Sequence, residues 1–261
     1  MFRFLWAHRG LLRQLVSREV RAKYRATAIG LGWAVLAPLI LLAVYALVFG
    51  QVFPSKWPQS SDAPFEFALI LFAGLLVFTF FSDCVSRAPS LITSSPSYVT
   101  KIIFPLPLLA VVSVASSLVQ ALISLALLGL GLLALGTWHI VWIVAPLVLM
   151  PIVMLCLGLS WLLSSLGVYI RDSAPIVHMG TTALLFLSPI FYPLDALPEP
   201  LRSWLLLNPL TIPIEALRAV MAFGALPNPL LFATHALVSF LVMVAGFQWF
   251  VRTQKGFADV L

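Results

Sequence analysis

The sequence predicts an all-α integral membrane protein with six transmembrane helices, an N-terminal amphipathic interfacial helix and a re-entrant helical hairpin between spans 5 and 6. Three observations carry that expectation. The first is composition: 62% of the 261 residues are hydrophobic and only 9% are charged, against about 25% charged in a soluble domain. A soluble core could not bury so much apolar surface. The second is the spacing of charge. A helix needs about 20 apolar residues to cross a bilayer, and charge-free runs of that length recur, the longest reaching from residue 102 to residue 170. The third is a break late in the chain. There Ser188-Pro189 and Tyr192-Pro193 end an apolar run, and two short segments flank Asn208-Pro209. Proline lacks an N–H and disfavours helix in the residue before it, so the helix should stop there.

The elements follow in order. Residues 2–25 have the pattern of an amphipathic helix. Leu11, Leu12, Leu15, Val16 and Val20 share one side, and Arg13, Arg18, Arg21 and Arg25 the other. Such a helix lies in the membrane interface. It is either a basic anchor alone or an anchor that also touches a cytoplasmic partner. Residues 1–28 are therefore set apart as the interfacial helix and 29–261 as the six-span domain. Span 1 is expected at 29–53, with Gly30 and Gly32 at its start allowing close helix contact and Pro38 inside it. Span 2 is expected at 66–82. The polar stretch 83–101 follows, with Asp83 and Arg87 at a helical i,i+4 spacing. It is read as a solvated loop or as a short helix parallel to the membrane. Spans 3 and 4 are expected at 106–135 and 142–169, with Trp138 and Trp142 as interfacial aromatics. Span 5 lies between Arg171-Asp172 and the proline break, and span 6 at 229–251. Between them, 193–224 is too polar to span and too apolar for an ordinary loop, and Gly224 is placed to cap its second helix. Irregular backbone at membrane depth is tolerated only where protein or a water-filled cavity covers it, so this stretch predicts a cavity or a pore.

Charge sets the orientation. With the N-terminus in the cytoplasm, the inner segments hold twelve Lys and Arg and the outer segments three. The positive-inside rule then puts both termini in the cytoplasm and the hairpin outside. The net charge of +6 is concentrated in the first 25 residues, which suits a membrane surface or an acidic partner and not nucleic acid. No cleavable signal peptide is expected, because arginines begin at Arg3 and no early apolar core follows.

The chain carries little chemistry of its own. It has no GxxxxGK[ST] loop to cradle a nucleotide and no HExxH or GxSxG motif. Cys84 and Cys156 suggest neither a disulfide framework nor a metal pair. His178 and His235 fall within spans, where a histidine is either functional or simply bonded to a neighbour. No acidic or basic residue lies deep in a span, which argues against an ion-coupled transporter. A passive pore or an externally powered exporter remains.

Residues 15–53, LVSREVRAKYRATAIGLGWAVLAPLILLAVYALVFGQVF, resemble the opening of the membrane subunit of ABC-2 type polysaccharide exporters. That group exports O-antigen, capsule and teichoic acid. The resemblance continues through residues 98–105 (YVTKIIFP), Arg171-Asp172, Ser188-Pro189-Ile190-Phe191-Tyr192-Pro193, Leu197-Pro198, Asn208-Pro209-Leu210-Thr211 and Arg218. It covers nearly the whole chain in order. Where the family often has a Lys pair before Phe104-Pro105, this chain has Thr100-Lys101.

The resemblance implies a permease that is not itself an enzyme and binds no cofactor. It implies a dimer with a second copy of the chain, in the cytoplasmic (inner) membrane, and two copies of a separate cytoplasmic ATPase that hold ATP and Mg2+. The cargo it implies is a lipid-linked polysaccharide moved between the two copies. Residues 83–101 would be the coupling helix that docks on the ATPase, through Asp83, Arg87, Tyr98 and Lys101, with Arg18, Glu19 and Arg25 in support. The hairpin would close the outer mouth. A sugar polymer offers apolar ring faces on which aromatics stack weakly enough to let it slide, so Tyr45, Phe49, Phe78, Phe186, Phe191 and Tyr192 are candidate wall residues and Asn208 a candidate gate residue. Each aromatic is otherwise an ordinary packing or lipid-facing residue. Two rival classes share these features: an ABC-2 exporter of a small hydrophobic compound, and a membrane scaffold that recruits a cytoplasmic complex through its basic arm.

Overall fold

A computed structural model describes residues 6–25, 29–48, 64–100 and 104–260. Lys101 and Phe49 therefore lie outside the described residues. Among the described residues all regular structure is helical.

The arm is helix α1, Arg9–Tyr24. Leu12, Leu15, Val16 and Val20 are half-buried and the arginines opposite are exposed, as the pattern requires; Leu11, at the edge of the apolar side, is exposed. Leu12 packs on a cluster that includes Ile92, Ala110 and Trp161, so α1 rests on the ends of later spans. A 3-10 turn, Gly30–Gly32, leads into α2, Trp33–Leu47.

α3, Pro64–Arg87, is the central helix. Its span window is 78% buried, against 17% for α2 and 22% for the last span. Every residue from Phe67 to Val77 other than Gly74 appears in the apolar core. α3 is enclosed because α2, α5, α7, α8 and α10 (ranges below) all pack against it. Its C-terminus differs from expectation. Asp83 and Arg87 do not sit on a separate helix; they form the last turns of α3. Polarity alone does not end a helix, whereas Pro89 does, and α3 gives way to the 3-10 turn Ala88–Ser90. From Leu91 to Thr100 the stretch is a turn and the single-turn α4, Ser97–Thr100.

α5, Pro107–Ala134, is the third span. The fourth is made of the 3-10 turn Ile140–Val144, the short α6, Ala145–Val148, and α7, Met150–Tyr169. α8, Ser173–Leu187, has 15 residues, about 22 Å at 1.5 Å per residue, short of a hydrocarbon core of about 30 Å. It ends where Ser188 turns to an extended conformation ahead of Pro189. The expected hairpin follows as a 3-10 turn, Leu194–Ala196, then α9, Glu199–Leu205, and α10, Thr211–Met221. Gly224, at φ 60°, turns the chain out of α10. α11, Pro229–Thr253, is the last span; the Asn228 side chain caps it by accepting from the N–H groups of Leu230 and Leu231. A last turn, α12, is Phe257–Val260. Five helical stretches among the described residues are long and apolar enough to cross a membrane, and α8 is the shorter sixth. The chain is a multi-pass membrane protein.

Candidate functional site

Two clusters bring the polar residues of this apolar chain together. The first joins the arm to the end of α3. Lys23 Nζ lies 3.2 Å from Asp83 Oδ2, and Arg87 Nη2 lies 3.8 Å from Glu19 Oε1. Arg18 donates to the Tyr98 hydroxyl at 2.8 Å, which ties in α4. The pattern is antiparallel. Glu19 and Lys23 are one helical turn apart on α1, Asp83 and Arg87 are one turn apart on α3, and the signs are reversed. The expected Asp83–Arg87 attraction within one helix thus gives way to two bonds between helices. Tyr98 also stacks on Phe104 with ring centroids 4.6 Å apart. Arg25 does not join these pairs; with Arg13, Arg18, Arg21, Gly30 and Leu31 it lines a basic cleft of about 860 Å³. Of the residues expected at a docking surface, Asp83, Arg87, Tyr98, Arg18 and Glu19 are brought together. Lys23 was missed, although its i,i+4 spacing from Glu19 mirrors that of Asp83 and Arg87.

The second cluster covers the proline break. Where α8 stops, carbonyl groups lose their helical partners. Arg218, on α10, is fully buried and supplies the donors. Its Nη1 reaches Pro189 O at 2.5 Å, its Nη2 reaches Ile190 O at 2.6 Å, and its Nε reaches Ile70 O on α3 at 3.2 Å. Nη1 also pairs with Glu215 Oε1 at 2.9 Å. A buried guanidinium is stable only when its charge is paired and its fan of N–H groups is filled, and here each arm of the fork has an oxygen. Gly74 makes the room: a Cβ there would stand 2.8 Å from Nη2.

Asn208 sits at the tip of the hairpin. Its Nδ2 donates to Leu187 O at 3.1 Å and Ser188 Oγ at 3.0 Å, and its Oδ1 accepts from Leu210 N–H at 2.9 Å. It pins the hairpin turn to the end of α8. Trp142 donates its indole N–H to Met221 O at 2.9 Å, fastening the other end of α10. Where the proline pattern led to the expectation of a cavity or a pore, the irregular backbone at the break is covered by protein atoms, those of Arg218 and Asn208.

The aromatic candidates are not gathered in one lining. Tyr45 on α2, Phe78 on α3 and Phe191 after α8 pack against the main core, Tyr192 is half-buried, and Phe186 projects from α8 with 68% of its surface exposed. His235 is buried on α11 with its Nε2 3.5 Å from Ser239 Oγ, an own-helix contact. Among the described residues no cluster of His, Cys, Asp or Glu could hold a metal ion.

Comparison with known proteins agrees with this architecture. Residues 10–222 match the ABC-2 type transporter family. An O-antigen export system permease protein of Myxococcus xanthus is 33% identical over 210 residues, 79% of this chain and 77% of its own length. Two O-antigen export system permease proteins of Klebsiella pneumoniae are each 22% identical. One aligns over 256 residues, 96% of this chain and 95% of its own, the other over 198 residues, 75% and 73%. With residues 10–222, most of its length, inside the family match, the chain belongs to the ABC-2 type transporter family.

Proposed function

We propose that this chain is the membrane permease subunit of an exporter of lipid-linked polysaccharide in the cytoplasmic membrane. The observation that carries the reading is its similarity, over three quarters or more of its length, to permeases named for O-antigen export. In this reading two copies form the pore, and two copies of a separate ATPase hold ATP and Mg2+ and drive it. The chain is then the moved part, not the motor.

The geometry supports a division of labour. The arm, the end of α3 and α4 are tied by the Arg18–Tyr98, Lys23–Asp83 and Glu19–Arg87 contacts, so a push on one moves all three. That is what a coupling surface needs. At the other end, Asn208 and Arg218 tie the α9–α10 hairpin to the break after α8. This suits a gate that moves as a unit with α8.

The test is ATP hydrolysis by the chain in nanodiscs together with its partner ATPase, with a lipid-linked glycan titrated in. Stimulation by the glycan is the expected result. A stable complex that responds to hydrophobic drugs and ignores glycan would replace the cargo, and failure to form a complex would remove the exporter reading.

A further inference from the structure

Spans 1, 2 and 3 enclose a cleft of about 460 Å³ beside the arm, within the range of about 300–1,000 Å³ typical of small-ligand sites. Each helix gives it one face. α3 contributes Phe72, Leu75, Leu76, Thr79, Phe80 and Asp83, a stripe at helical spacing about 16 Å long. α2 contributes Trp33, Ala37, Pro38 and Leu41, and α5 contributes Ser117, Gln120, Ala121 and Ser124. The walls are apolar and aromatic. The mouth is ionic: Lys23 and Asp83, 3.2 Å apart and each 36% exposed.

One polar group inside the cleft is unexplained. Ser117 is 2% exposed, and among the described residues its hydroxyl has no hydrogen-bond partner. That hydroxyl has almost no surface from which to meet a ligand, and Ser113, Ser160 and Ser173 outside the cleft are unpartnered in the same way, so what distinguishes this cleft is its shape and the charge at its mouth.

We infer that this cleft binds a zwitterionic phospholipid, with its ammonium at Asp83, its phosphate at Lys23 and one acyl chain along α3. The charges of the mouth select it. A purely anionic headgroup would meet Asp83 and a purely cationic one Lys23, whereas a zwitterion replaces each member of the existing pair with a partner of the same sign. Because Lys23–Asp83 is also a link between arm and span 2, an occupied cleft holds the arm through the lipid in place of the direct bond. The site thus makes that attachment sensitive to the lipid around it.

The experiment is photolabelling of the full chain in nanodiscs with a phosphatidylethanolamine that carries a diazirine in one acyl chain. It contains no ATPase and no glycan, so its outcome is independent of the exporter reading. The expected label falls on peptides carrying residues 72–83 and 117–124 and is competed by unlabelled phosphatidylethanolamine far better than by phosphatidylglycerol. Ala37→Trp, at an exposed position on the rim, fills the cleft and lowers that label by roughly tenfold. Ser117→Leu, from the opposite wall, does the same, and both variants elute as wild type in size exclusion. Label spread evenly over the lipid-facing sides of α2 and α11 would overturn the proposal. So would label unchanged in both variants, or equal competition by the two lipids.

Discussion

Arg218 brings a full charge to a position with no exposed surface, and the oxygens around it make that tolerable. Three backbone carbonyls and one carboxylate share its donors. Removing one partner of a buried ionic contact costs about 3–5 kcal/mol, because the remaining groups stay buried and unpaired. Arg218→Met keeps most of the volume but strands the Pro189 and Ile190 carbonyls. Arg218→Lys keeps the charge but replaces a planar fork with a point donor that cannot reach all of them. Both variants are expected to lower the melting temperature of the purified chain, Met more than Lys, and to expose the 188–210 segment to protease. A wild-type melting curve and cleavage pattern for Arg218→Met would show that the break is held by something else. Beyond its place in the family resemblance, the sequence shows Arg218 only as one basic residue in an apolar helix, three residues after Glu215. Its principal partners are main-chain oxygens of segments 28 and 148 residues away, and main-chain oxygens leave no mark on a sequence. Gly74 is illegible for the same reason: the group it makes room for comes from another helix.

At the scale of elements, the arm and α3 are joined by contacts that are weak one by one. Both ion pairs are more than a third exposed, and exposed pairs contribute about 0.2–1 kcal/mol each. They are too small to hold the fold together, yet they set how α1 lies on α3. Asp83→Lys is therefore expected to leave the melting temperature within about 4 °C, at roughly 2–4 °C per kcal/mol for a chain of this size. Its effect is expected in the amount of partner ATPase that copurifies, and Asp83→Lys with Lys23→Asp is expected to restore it. A double variant as weak as the single one would mean that Asp83 meets the ATPase directly and not through the arm. The existence of the spans was legible because long charge-free runs admit few other readings. Their ends were not, because a charged residue and a helix end need not coincide: α3 runs on past Asp83 until Pro89 stops it. The pairing of Glu19 and Lys23 with Asp83 and Arg87 was legible only as matched spacing with reversed sign, a pattern that gains meaning once the two helices are known to touch.

The whole molecule turns on whether α8 crosses the membrane. Five long apolar helices alone would leave the two termini on opposite sides. The basic residues divide twelve to three whether α8 crosses or folds back, because Arg202 and Arg218 merely change places with Arg252 and Lys255, so it is the backbone and not the charge that argues for a sixth crossing by α8, only 15 residues long. The apolar 188–193 segment after it supplies the missing length without helical hydrogen bonds, and Arg218 and Asn208 supply those bonds from the hairpin. Short helix and buried arginine are thus two sides of one solution to the cost of bare backbone in lipid. Single cysteines at three exposed positions test this: Ser94→Cys after α3, Ser203→Cys on α9 and Ala258→Cys on α12. Cys84 and Cys156 are fully buried and leave a silent background. With six crossings and a cytoplasmic N-terminus, a membrane-impermeant maleimide labels Ser203→Cys on intact spheroplasts, and labels the other two only after permeabilisation. If α8 folds back without crossing, the result changes at two sites together. Ser203→Cys is then protected and Ala258→Cys reacts on intact spheroplasts, while Ser94→Cys stays protected in both cases. That third site separates a wrong span count from a wholly inverted chain, in which it too would react.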